Sequence, residues 1–173
     1  GGLKVGLSIC EDIWDGGPLE ETKNMGVDLL VNLNGSPFHQ DKQKEREQLV
    51  QKRCQDLGVP ILYVNQVGGQ DELVFDGGSM AMKESGEILA RSPLFEEHTL
   101  AIQLDTASGE TSKHPACDGI APSPERLESI YRTLVLGVRD YVNKNGFKGV
   151  VLGLSGGIDS ALTLAVAADA LGP

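Results

Sequence analysis

The sequence predicts an α/β protein in two unequal parts. Three observations carry this. Apolar runs alternate with helix-forming stretches through residues 3–67, and short apolar runs broken by glycine pairs follow to residue 104. Further on, the run Val150-Val151-Leu152 leads through glycines into an Ala/Leu-rich stretch over 161–171. The first part is expected to be a mixed-strand α/β domain, the second the opening of a doubly wound parallel sheet.

Bulk properties exclude several classes. A formal charge of −10 opposes a nucleic-acid or anionic-membrane surface, both of which need Lys/Arg stripes. No apolar run reaches the roughly 18 residues of a membrane span. The three cysteines are widely spaced and form neither a zinc pattern nor a disulfide framework, which suits a reducing cytoplasm. The chain starts without Met and stops one helix after a glycine-rich loop, and it is expected to be an internal piece of a larger polypeptide.

Residues 3–9 alternate loosely and read as a strand that ends at Cys10, followed by Glu11 and Asp12. A lone cysteine is commonly a buried structural residue, but one at a strand end can present its sulfur in a cleft. The charges of Glu11 and Asp12 oppose a thiolate, so activation would need a base and a cation elsewhere. A short helix over 18–24 and a strand over 25–33 come next, then a turn-rich loop containing Ser36. Asp41 is placed to cap a helix over 42–57 that stops at Gly58. Its face Leu49, Val50, Cys54 and Leu57 is apolar, and its Lys/Glu/Arg remainder is expected to be solvated.

Residues 59–67 form an apolar strand expected to be buried on both faces. The glycine pairs at 68–69 and 77–78 are expected to mark turns around a short run over 73–75. A hairpin pairs 80–82 with 88–90, and 100–104 is a last strand. Residues 106–123 collect Ser, Thr, Gly, Pro and Asp and read as a linker. His114 and Cys117 lie in it, too few for a metal site. Ser123-Pro124-Glu125 is a helix start, and Leu127, Ile130, Leu134, Val138, Tyr141 and Val142 form an apolar stripe on a helix to about 145.

A strand over 149–154 then enters Gly153-Leu154-Ser155-Gly156-Gly157-Ile158-Asp159-Ser160. Strand, tight glycine turn and helix start make a phosphate cradle, because unpaired helix N–H groups meet the anion there. It is not the Walker type, since no Gly-Lys-[Ser/Thr] closes it. Asp159 would repel phosphate unless a divalent cation lies between them.

Ser-Gly-Gly-Ile-Asp-Ser after an apolar strand resembles the pyrophosphate-binding loop of the ATP pyrophosphatase superfamily, whose members adenylylate a substrate and release pyrophosphate. The resemblance implies that Gly153 to Ser160 bind ATP phosphates and that Asp159 ligates Mg²⁺. Three further strings, at 8–14, 32–38 and 63–79, resemble the C-terminal half of a nitrilase-superfamily amidase. More narrowly, they resemble the glutaminase domain of the glutamine-dependent NAD synthetase family. That implies an αββα nitrilase-type sandwich, of which this is the C-terminal half, followed by the start of a doubly wound, Rossmann-like ATP-pyrophosphatase domain.

By this resemblance Cys10 is the nucleophile of a Glu–Lys–Cys triad whose Glu and Lys lie upstream of this sequence. The chain alone is therefore expected not to hydrolyse glutamine. Ser36 and Lys42 match positions that hold glutamine, although the residues alone suggest a turn hydroxyl and a solvated helix-start lysine. The implied domains are 1–105 (glutaminase), 106–123 (linker) and 124–173 (ATP-binding). The implied reaction uses glutamine, ATP and deamido-NAD, and a homo-oligomer is expected. The alternatives are a stand-alone amidohydrolase with no ATP dependence, and a non-enzymatic scaffold, for which the motifs show no damage.

Overall fold

The structure is a computed structural model that describes residues 2–104, 111–113 and 119–172. His114, Cys117 and Pro173 lie outside the described residues. Strand β1 (Val5–Ile9) ends in a 3₁₀ turn (Cys10–Ile13), followed by helix α1 (Gly17–Asn24), strand β2 (Leu29–Asn34) and helix α2 (Lys42–Leu57). Strand β3 (Ile61–Asn65) then leads to the hairpin β4 (Val67–Gln70) and β5 (Leu73–Asp76), and to the hairpin β6 (Met80–Met82) and β7 (Ile88–Arg91).

A five-stranded sheet runs in the order β1-β2-β3-β6-β7. Its first three strands are parallel, joined by the crossover helices α1 and α2, and the rest are antiparallel. The core lies under α2, where Ile13, Leu30, Val50, Cys54, Ile61 and Tyr63 are all fully buried. Each aliphatic side chain fully buried there is worth roughly 1.5–3 kcal/mol.

The other face of the sheet is open, and β3 alternates in burial rather than being buried on both faces, with Val64 exposed. The run of apolar residues in β3 hid this, because the open face of the neighbouring strands is apolar too. Leu7, Ile9 and Leu33 are exposed beside it.

Several expectations are corrected. Asp41 occupies the cap position of α2, but it is left-handed (φ 65°) and its side chain makes no cap hydrogen bond. Arg46 lies in the core rather than in solvent. Gly68 and Gly69 are strand residues, not a turn. A Cβ at Gly69 would stand 3.2 Å from Gly137 Cα, so the residue is small because a helix backbone crosses there.

That helix is α3 (Arg126–Lys144), whose cap is Glu125, so Ser123 and Pro124 precede it. It buries Leu136 and Val142, while Leu127, Leu134 and Tyr141 of the expected stripe are exposed. The segment expected to be a linker contributes a strand, β9 (Thr111–Lys113), paired antiparallel with β8 (Ile102–Leu104).

Residues 149–154 form no strand. Val150, Val151 and Leu154 are exposed, and no strand lies alongside them among the described residues; an apolar run without a ladder partner has nothing to fix it as a strand. Helix α4 (Ile158–Leu171) follows and packs on α3, with Tyr131 Oη donating to Asp169 Oδ2 at 2.6 Å. Among the described residues no helix is long and apolar enough to cross a membrane.

Candidate active site

Parallel pairing brings the carboxyl ends of β1, β2 and β3 together, with Ile9 beside Leu33 and Asn34 beside Asn65. Sites in open α/β sheets form at such ends. Cys10 leaves β1 with φ 49°, a left-handed conformation that costs a non-glycine residue on the order of 1–3 kcal/mol. The turn is pinned around it. Asp12 Oδ2 accepts from Ile9 N at 2.8 Å, and the Glu11 carbonyl accepts from Trp14 N at 2.8 Å. Arg53 on α2 donates to the carbonyls of Ile13 (2.8 Å) and Trp14 (2.7 Å). Cys10 is half-buried, whereas Cys54 is fully buried.

Ser36 follows β2 and is held through its main chain. Its N–H donates to Asn65 Oδ1 at 2.9 Å, and its carbonyl accepts from Asn65 Nδ2 at 3.2 Å. Arg46 reaches it from α2. Nη2 donates to the Ser36 carbonyl at 2.8 Å and to the Pro37 carbonyl at 3.2 Å, and Nε donates to Ser36 Oγ at 3.2 Å. Arg46 Nη1 lies 2.9 Å from Asp76 Oδ1 and 3.0 Å from Oδ2, in a pair that is buried on both sides. Removing either partner of such a pair leaves an uncompensated charge and costs about 3–5 kcal/mol. Burial pushes the Asp76 carboxyl up, and the Arg46 guanidinium opposes that rise.

Lys42 opens α2 with Nζ 4.2 Å from the centroid of the Trp14 ring and 3.4 Å from Glu45 Oε2. Its ammonium is thus held against the residue that follows the Cys10 turn, by a cation–π contact rather than in free solvent. Tyr63 stands beneath, fully buried. Burial pushes its phenol pKa up, Arg46 and Ser36 lower it in part, and a charge at Cys10 raises it further. Although Ser36 faces it, the Tyr63 hydroxyl has no partner of hydrogen-bond geometry among the described residues. A cavity of about 330 Å³ borders the group; it is lined by Lys42 and Asp76 together with Phe38, Phe95 and Arg126, but not by Cys10 or Ser36.

Cys10, Ser36 and Lys42 therefore gather at one end of the sheet. Sequence reasoning missed Arg46, Asp76, Asn65 and Tyr63. Arg46 was detectable: it lies at helical spacing from Val50 and Cys54, on the face that the apolar pattern assigns to the core.

The loop at 153–160 stands apart. Gly156 has φ 83°, Gly157 caps α4, and Gly153 to Asp159 are exposed. Ser155 Oγ lies 3.1 Å from Ser160 Oγ, which donates to the Gly157 carbonyl at 3.0 Å. A Cβ added at Gly153 or Gly156 would meet nothing within 4 Å, so the cradle is open to an anion. Asp159 is the acidic residue of the first turn of α4. Among the described residues no group of three His, Cys, Asp or Glu is placed to hold a metal. A single carboxylate in the first turn of a helix is what Mg²⁺ can use, since it takes one or two carboxylates and completes its shell with phosphates and water.

Comparison with known proteins matches residues 1–113 to the carbon-nitrogen hydrolase family and residues 130–173 to the NAD synthase family. The glutamine-dependent NAD(+) synthetase of Synechocystis sp. is 42% identical, over 98% of this chain and 32% of its own length. That of Acinetobacter baylyi is 43% identical, over 99% of this chain and 31% of its own. The solved glutamine-dependent NAD+ synthetase of Acinetobacter baumannii, in complex with ADP, superposes with a TM-score of 0.89 at 43% identity, covering 99% of this chain and 32% of that one. The chain thus spans about a third of the length of the curated relatives it matches.

Proposed function

The chain belongs to the carbon–nitrogen hydrolase family, and from that premise we propose that it carries the glutaminase cysteine and the ATP loop of a glutamine-dependent NAD(+) synthetase. The observation that supports this best is a conjunction within one chain. A strand-end cysteine with a positive φ lies at the same end of the sheet as Ser36 and Lys42, and a Ser-Gly-Gly loop opens a helix further on. Similarity to the synthetases named above supports the same reading. The domains we assign are 1–105 for the glutaminase part, 106–123 as connector and 124–173 for the ATP-binding part.

In this reading the Cys10 thiolate attacks the side-chain amide carbon of glutamine. The C–N bond breaks, ammonia leaves with a proton from a general acid, and the resulting thioester is hydrolysed by water to glutamate. The turn sets Cys10 at φ 49° where β1 ends, and the first N–H groups of that turn, including that of Glu11, are suited to the developing oxyanion. Ser36 and the Lys42 ammonium take the polar end of glutamine. At the second site, the N–H groups at the start of α4 and the hydroxyls of Ser155 and Ser160 hold ATP phosphates. Asp159 would hold Mg²⁺, which supplies positive charge to the phosphates when bound. Ammonia then displaces AMP from adenylylated deamido-NAD. A cytoplasmic homo-oligomer completes the reading.

The test uses the polypeptide encoded by the whole reading frame around this segment. NAD formation from deamido-NAD and ATP should proceed with glutamine or ammonium chloride. Cys10→Ala should abolish the glutamine-supported reaction alone, and Asp159→Asn should lower both by at least about tenfold, a loss of roughly 1.4 kcal/mol in transition-state stabilisation. Glutamine hydrolysis with no ATP-dependent NAD formation would favour the stand-alone amidohydrolase instead.

A further inference from the structure

We propose that Arg46 is a positioning residue of the glutamine site: it holds the hydroxyl and the main chain of Ser36 in place for bound substrate. The inference rests on the reading of Ser36 as a substrate-binding residue.

A serine hydroxyl has one proton and two lone pairs, whereas a guanidinium only donates. Arg46 Nε, 3.2 Å from Ser36 Oγ, therefore occupies a lone pair and cannot take the proton. The main chain of Ser36 has no freedom to turn away. Asn65 holds its N–H at 2.9 Å, and Arg46 Nη2 holds its carbonyl at 2.8 Å. Held in this way, the hydroxyl keeps one position, and a carbonyl or carboxylate oxygen of glutamine has the chemistry to meet it there.

Arg46 is itself fixed. It is fully buried, and Asp76 grips Nη1 from the end of β5. Lys42 lies one helical turn before it, so α2 sends one cation under the Ser36 loop and another over Trp14. A lysine in place of Arg46 keeps a charge for Asp76 but loses the planar fork that reaches Ser36 Oγ, Ser36 O and Pro37 O together.

The experiment measures glutamine-supported kinetics of the whole-frame polypeptide as Ser36→Ala, Arg46→Lys and the double variant, with thermal midpoints to confirm folding. Ser36→Ala should raise KM for glutamine about tenfold, with kcat within about threefold. Arg46→Lys should do the same to a similar extent, and in the Ser36→Ala background its factor should be clearly smaller, because the bond to Ser36 Oγ is already gone while those to the Ser36 and Pro37 carbonyls remain. If Arg46→Lys leaves KM unchanged, or multiplies it by the same factor in both backgrounds, the proposal is overturned. If Ser36→Ala itself leaves KM unchanged, the glutamine-binding reading of Ser36 is what fails, and the proposal falls with it. Should Arg46→Lys not fold, Asp76→Asn replaces it in the same cycle, with a smaller rise in KM that must again shrink without the Ser36 hydroxyl.

Discussion

Cys10 and Cys54 show how far one residue type is set by its surroundings. Cys54 lies on the core face of α2, and burial pushes its thiol up to about 12 from 9.0. The folded protein therefore keeps a proton that the unfolded chain gives up. The contribution to stability is fully present below pH 9 and is lost as pH rises towards 12, with a slope approaching about 1.4 kcal/mol per pH unit. Denaturant unfolding at pH 8 and pH 10.5 should show this fall, and Cys54→Ala should be less stable at pH 8 but lack that part of the slope. An equal alkaline loss in both proteins would contradict the assignment. Cys10 needed only its place at a strand end to be noticed. The partners that hold Ser36 were harder to see, because Asn65 and Asp76 come from distant segments and Arg46 is one cation among many on a charged helix.

At the scale of elements, α3 is keyed to the β4–β5 hairpin through Gly69. Its N–H donates to Asp140 Oδ2 at 2.7 Å, and its carbonyl accepts from Lys144 Nζ at 2.6 Å. A hydrogen bond to a charged group is worth about 1.5–3 kcal/mol, and an unpaired buried N–H costs about as much. Asp140→Ala should thus lower the unfolding free energy by about 1–3 kcal/mol, and Gly69→Val, by forcing α3 outward, by about 1–3 kcal/mol. Chemical denaturation would read both, and an unchanged midpoint in either would refute this docking.

The helix α2 was legible to the residue, since its charged run stops at a glycine and its apolar positions share one face. Gly68 and Gly69 misled because a glycine pair signals a turn in a sequence and a close crossing in a structure, and only the partner backbone distinguishes the two. Residues 149–154 misled for the opposite reason. Their composition is that of a strand, but a strand needs a neighbour, and composition does not supply one.

Across the whole molecule, the sheet presents an apolar face to solvent. Leu7 is 73% and Ile9 66% exposed, with Leu33 and Val64 continuing the row from β2 and β3. Contiguous apolar surface of this kind marks a packing surface rather than a solvated one. The 173-residue chain should bind the dye ANS strongly. Leu7→Lys with Leu33→Lys should cut the dye fluorescence by at least about half without changing the far-UV circular dichroism, because neither side chain is part of the core. Fluorescence unaffected by the pair would place the dye elsewhere.

The edge of the same sheet carries another consequence. Arg91 N bonds the Gly119 carbonyl, and the Arg91 carbonyl receives Ala121 N, so the chain is stitched back to β7 just before α3 begins. Arg91 also grips the Ala121 carbonyl with its side chain while paired to Glu47 on α2. The starting point of α3 is therefore set at residues 119–121 and not by the length of chain that precedes them. Closing a longer loop costs little, since each doubling adds only about 0.6 kcal/mol. In evolutionary terms, this stitch frees the stretch before it to gain or lose residues while the two halves of the chain keep their places.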